Sequence, residues 1–83
     1  MLSYKAARVA ERARNLYDRD LRDSLEELHQ GRYVCIEPDS GDFFLSDTFD
    51  GAVNQAIDAY PERLTHTLRV GHSAAFHLGG ASQ

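Results

Sequence analysis

The amino-acid sequence predicts an α+β domain, in which a long N-terminal helix precedes a β-β-α-β(-β) unit whose small sheet is covered by one helix. Three observations predict it. Residues 2–29 contain no Gly or Pro and are rich in Ala, Leu, Arg and Glu, all strong helix formers. Residues 31–45, Gly-Arg-Tyr-Val-Cys-Ile-Glu-Pro-Asp-Ser-Gly-Asp-Phe-Phe-Leu, are the densest run of β-branched, aromatic and aliphatic residues, split by a turn. After them a helical period over 49–60 gives way to a strand period over 64–70.

Within the first segment Leu2, Val9 and Leu16 recur every seven residues, with Ala6 and Ala13 between them. Beyond Tyr17 the stripe changes phase and continues as Leu21, Leu25 and Leu28. Either one long helix twists its apolar face, or the chain breaks near Asp18 to Asp20. Opposite charges four apart (Arg14 with Asp18, Asp18 with Arg22, Arg19 with Asp23, Arg22 with Glu26) favour continuity. An unbroken helix of this length overhangs so small a domain, and an overhanging apolar stripe calls for a second chain.

Gln30-Gly31 ends the helix, with Gly available for the left-handed position. Tyr33 and Cys35 then share one strand face, and Val34 and Ile36 the other. Glu37-Pro38-Asp39-Ser40-Gly41 is the turn, and Phe43, Phe44 and Leu45 form the return strand. Ser46, Asp47 and Thr48 offer helix-capping oxygens, and Asp50 suits the positive end of the helix dipole. Phe49, Ala52, Val53, Ala56, Ile57 and Tyr60 make a full amphipathic stripe, which Pro61 stops. Leu64, His66, Leu68 and Val70 alternate with Thr65, Thr67 and Arg69 as a half-buried strand, and Ala74, Phe76 and Leu78 suggest a short fourth one. A right-handed crossover lays the third strand parallel to the second and antiparallel to the first, if it pairs beside the first.

Eighty-three residues make one domain, with a helical segment over 1–29, a ββαβ unit over 30–78 and a tail over 79–83. A chain of this length buries only about 60–65% of its unfolded surface, so small domains recruit a staple. One cysteine cannot close an intrachain disulfide, and the staple expected here is a homo-oligomeric partner. No apolar run approaches the roughly 20 residues that cross a bilayer, and the N-terminus has no apolar signal core. A single cysteine between Val34 and Ile36 suits a reducing compartment, so the expectation is cytoplasmic, without membrane contact.

Charge is uneven. Residues 1–32 hold seven Lys/Arg against six Asp/Glu, and residues 33–83 hold two against seven, for a net of −4. The acidic second part disfavours nucleic acid. The basic N-terminal residues Lys5, Arg8, Arg12 and Arg14 are the candidate phosphate contacts of an alternative, nucleic-acid-binding reading.

Catalytic signals are absent or weak. His66, His72 and His77 lie within twelve residues, but without a His-x3-His pair or a Cys pair they are weak metal candidates. They define the third and lowest reading, a small metal-dependent enzyme. Cys35 sits in an apolar run with no adjacent cation, where cysteines are usually inert. Turn and cap roles account for Glu37, Asp39, Asp42, Asp47 and Asp50. No catalytic residue and no cofactor are expected.

From Gly31 onward four stretches stand out: Gly31-Arg32-Tyr33-Val34, Gly41-Asp42-Phe43, the Phe49 to Tyr60 helix, and Arg69-Val70-Gly71-His72-Ser73-Ala74-Ala75-Phe76. In these the chain resembles a group of small bacterial proteins of unknown function, over about fifty residues of the 83 and excluding the N-terminal helix. The resemblance implies a compact β-β-α-β unit without known catalytic residues, loosely associated with toxin–antitoxin-like or protease-linked gene pairs. The leading expectation is a non-catalytic protein-interaction module, a homo-oligomer acting on another protein as a regulator or antitoxin-like partner. Its candidate contacts are Leu2, Val9, Leu16, Tyr17 and Leu21 on the first helix, with His72 and Phe76 in the ending.

Overall fold

The computed structural model describes residues 4–72, and the expected order of elements is present. Helix α1 (Tyr4–Leu16) runs through a π-helical turn (Tyr17–Leu21) into α2 (Arg22–Leu28). Strands β1 (Tyr33–Glu37) and β2 (Asp42–Ser46) form the hairpin, α3 spans Phe49–Ala59, and β3 spans His66–Arg69. The possible fourth strand at Ala74 to Leu78 lies outside the described residues, as do Leu2, Phe76 and His77.

The π turn explains the change of phase in the first segment. Ala13, Tyr17, Leu21 and Leu25 are each four residues apart and all pack into one cluster. In a 3.6-residue helix each such step drifts by roughly 40° around the axis, so three steps would turn Leu25 away from the sheet. One wide turn, closed by the Arg22 N–H donating to the Tyr17 carbonyl five residues back, takes up that drift. The helix is therefore continuous yet locally unwound. Of the four charge pairs expected along it, Arg22 bridges Asp18 and Glu26, while Arg19 turns to its neighbour Asp20 instead of Asp23.

The sheet order is β2-β1-β3, with both pairs antiparallel. Strand β3 thus lies beside β1 and parallel to β2, the arrangement expected if it paired with the first strand. The hairpin register sets Glu37 against Asp42 and Tyr33 against Ser46. Its turn closes with the Gly41 N–H donating to the Glu37 carbonyl at 2.9 Å, and Gly41 holds φ +82°, where an L side chain is strained.

Both faces of the sheet are covered, not one. Val34, Ile36, Leu68 and Val70 pack against Ala13, Tyr17 and Leu25 on the N-terminal helical run. On the other face Cys35 meets Ala52 and Ala56, with Tyr33, Phe44 and Val53 around them. The small alanines let α3 approach closely, and Tyr33–Phe49 and Phe44–Tyr60 edge-to-face ring pairs close the margins at 6.0 and 6.3 Å. Thr48 caps α3 by accepting from the Gly51 N–H at 3.0 Å. Helix α1 lies over β1 and β3, whereas α3 lies chiefly over β2 and β1. That offset leaves the α1 side of β2 partly open, and Phe43 there is 39% exposed. No helix among the described residues is long and apolar enough to cross a membrane.

Candidate functional site

Two surfaces come out of this architecture: the outer edge of β2, and a groove where α1, the hairpin turn and the 61–64 loop meet.

The edge follows from the hydrogen-bond alternation of an antiparallel ladder. The Arg32 carbonyl accepts from the Val70 N–H at 2.8 Å, so Arg32, Val34 and Ile36 direct their main-chain groups toward β3. Tyr33, Cys35 and Glu37 then face β2 and pair with Ser46, Phe44 and Asp42. Phe43 and Leu45 therefore point their N–H and C=O groups outward. The Leu45 carbonyl is covered by the Gln55 side chain, whose Nε2 donates to it at 2.8 Å. Among the described residues no strand pairs with the outer side of Phe43, whose ring is exposed there.

The groove encloses about 420 Å³. Its α1 wall carries Tyr4, Lys5, Arg8, Val9 and Arg12, its hairpin wall Glu37, Pro38 and Asp39, and its third wall Glu62, Arg63 and Leu64. Glu37 anchors it. This carboxylate is 1% exposed and accepts from the N–H groups of Asp39 (3.0 Å) and Ser40 (2.8 Å) and from Arg63 Nη1 (3.1 Å). Burial pushes its pKa up, but the Ser40 hydroxyl, the two amides and the Arg63 guanidinium outweigh it and hold the group below the usual range. Arg12 reaches Asp39 across the groove at 2.8 Å, and Arg63 lies 3.9 Å from the same carboxylate. The three walls are thus tied by ion pairs that share Asp39 and Glu37.

Three of the four basic residues singled out from the sequence, Lys5, Arg8 and Arg14, have no acidic partner among the described residues. Arg8 stacks over the Tyr4 ring and donates to its hydroxyl at 3.0 Å. Arg12 is already paired. Arg14 lies outside the groove, near enough to His66 that its charge, after burial, lowers the pKa of that imidazole.

Of the residues named as contacts of a second chain, Leu16 and Leu21 pack against the chain's own core and Tyr17 is fully buried in it. The Tyr17 hydroxyl donates to Glu26 at 3.1 Å and accepts from the Gly71 N–H at 3.4 Å, and its pKa is raised, first by burial. Val9 is half-buried at the groove, and His72 is exposed at the end of the described chain. Of the three candidate metal ligands, His66 is half-buried on the α1 side of β3, opposite Ile36 on β1, and His72 stands beyond the end of that strand. Among the described residues no three His, Cys, Asp or Glu side chains come together as a metal would need. Cys35 is fully buried and free.

Sequence reasoning missed the groove and the anchoring role of Glu37. The available signal was a carboxylate immediately before Pro-Asp-Ser, within reach of two turn amides that no carbonyl takes up. No family model matches the chain, and no curated protein or solved structure matches it significantly.

Proposed function

We propose that the chain is a cytoplasmic, non-catalytic protein-interaction module that forms a homodimer and acts on another protein as a regulator or antitoxin-like partner. The observation that supports it is the outer edge of β2, where Phe43 offers an exposed ring and outward N–H and C=O groups in a sheet otherwise covered on both faces. An edge of this kind is a template for an added strand. Two copies related by a two-fold axis through Phe44 pair antiparallel, and Phe43 of each then faces Leu45 of the other while Asp42 faces Ser46, the Gln55 amide giving up the Leu45 carbonyl to the incoming Phe43 N–H. No like charges meet in that register, and the open apolar strip on the α1 side of both sheets is covered. A standard interface buries about 1,200–2,000 Å² in total, more than one five-residue edge supplies, so the dimer is weak and concentration-dependent.

Sedimentation equilibrium tests this. The expected mass rises from the 9.3 kDa of one chain toward twice that as the concentration approaches about 1 mM, and Phe43→Lys holds it at the monomer value. A mass that stays at 9.3 kDa throughout, or a Phe43→Lys protein that associates equally well, overturns the edge as the contact.

A further inference from the structure

We propose that the groove under the first turns of α1 binds an acidic segment of a partner protein, one carboxylate lying between Lys5 and Arg8 and a neighbouring aliphatic side chain against Val9 and Leu64. This rests on the reading of the chain as a protein-interaction module, but not on the dimer through β2. Lys5 and Arg8 are three residues apart on one helical face and lack any acidic partner among the described residues. The other two cations of the groove are committed, Arg12 to Asp39 and Arg63 to Glu37, so positive charge is left over on the α1 wall alone.

Apolar surface lies beside that charge. Leu64 is 48% exposed, and Val9 and Pro38 are half-buried in the same groove. The shape is held before any ligand arrives, because the buried Glu37 joins the turn to the 61–64 loop and Arg12 joins the turn to α1. Preorganisation of this kind lowers the ordering cost of binding.

The charge pattern selects a protein segment over a nucleic acid. A nucleic-acid strand carries a negative charge on every nucleotide, and successive phosphates bound at Lys5 and Arg8 would share the groove with Asp39 and Glu62. Glu62 has no basic partner among the described residues and repels a second anion. A segment with one acidic residue flanked by aliphatic ones satisfies both the α1 wall and the 61–64 wall.

The test is an amide chemical-shift titration of ¹⁵N-labelled full-length protein with the capped peptide acetyl-Leu-Glu-Leu-amide. Acetyl-Leu-Gln-Leu-amide and a short oligothymidylate are titrated in parallel. Saturable shifts are expected at Lys5 to Arg12, Asp39 and Glu62 to Leu64, fading as salt is raised. The paired Lys5→Glu and Arg8→Glu changes, on an exposed helical face, should weaken the Glu peptide by roughly tenfold, the loss of two charge-assisted contacts. They should also transfer preference to acetyl-Leu-Lys-Leu-amide. Equal binding of the Gln peptide to the unaltered protein, or shifts outside the groove, overturns the proposal without reference to any variant. Tighter binding of the oligothymidylate at the same amides overturns it in favour of a phosphate site. Loss of peptide binding with a concentration-dependent mass intact would remove the groove and leave the dimer standing.

Discussion

Replacing Glu37 with Gln keeps the size of the side chain and removes the charge that joins two walls of the groove. The native carboxylate takes the Ser40 N–H and Arg63 on one oxygen and the Asp39 N–H on the other. A carboxamide has one acceptor oxygen, so its NH₂ group must face one of these donors. An unsatisfied buried donor costs about 1–3 kcal/mol. The Arg63 limb adds less than about 1 kcal/mol, because that side chain is 47% exposed and screened by solvent. The expected loss is therefore about 1–4 kcal/mol at neutral pH. In a domain of this size each kcal/mol moves the thermal midpoint by about 4–8 °C, which predicts a fall of roughly 5–30 °C.

The pH dependence of the same variant supplies a second reading. The folded-state pKa of Glu37 lies below its ordinary value of 4.5, so its stabilisation is complete above pH 4.5 and is lost as pH falls from there through the folded-state value. Urea unfolding of wild type and Glu37→Gln should differ at pH 7 and converge on acidification. Equal stability at neutral pH, or a gap that persists undiminished near about pH 3, would refute the anchoring role.

Two further outcomes follow from the packing. His66 is lowered in pKa by burial and then by Arg14, so the fold favours the neutral ring. Its stabilisation is complete above the ordinary 6.5 and declines as pH drops from 6.5 through the folded-state value; His66→Gln should flatten that slope in urea midpoints measured across the same interval. Ala56 is fully buried between α3 and β1, so Ala56→Leu should cost about 1–3 kcal/mol by overpacking. Its neighbour Ile57, 50% exposed, serves as the contrast, because Ile57→Ala should cost less than about 0.5 kcal/mol in the same chemical denaturation.

Local chemistry made much of this fold legible. The hairpin could be read because Pro38 and Gly41 each have a turn role that needs no tertiary partner, and the two strands then fall into register around them, although the Asp39 carboxylate pairs with Arg12 rather than with the turn backbone. Helix α3 could be read because Thr48 and Pro61 mark its ends and the stripe between them is complete. The alternation from Leu64 starts strand β3 two residues before the structure does. Leu64 matches the alternation of Leu68 and Val70 but belongs to the loop, where it stands half exposed at the groove. Periodicity reports which side chains could share a face. It does not report where the partner strand ends, and β1 offers β3 only Tyr33 to Ile36.

The first helix carries the more general lesson. Its apolar stripe states that something covers this face, and a straight helix of that length would leave part of the stripe to a second chain. The π turn removes the need, because it keeps Tyr17, Leu21 and Leu25 on the side of the chain's own sheet. What then remains for other molecules is decided by leftovers rather than by stripes. One helix sits over β1 and β3 and the other over β2 and β1, so one face of β2 is short of cover. Arg12 and Arg63 find acids, so among the described residues the unpaired charge of the groove reduces to Lys5, Arg8 and Glu62. Neither remainder is visible in the sequence, since each is a difference between what a surface offers and what tertiary contacts have already taken. Composition alone made the N-terminal residues a basic patch, whereas the ion pairs leave Lys5 and Arg8 without an acidic partner among the described residues, in a groove that Glu62 also lines.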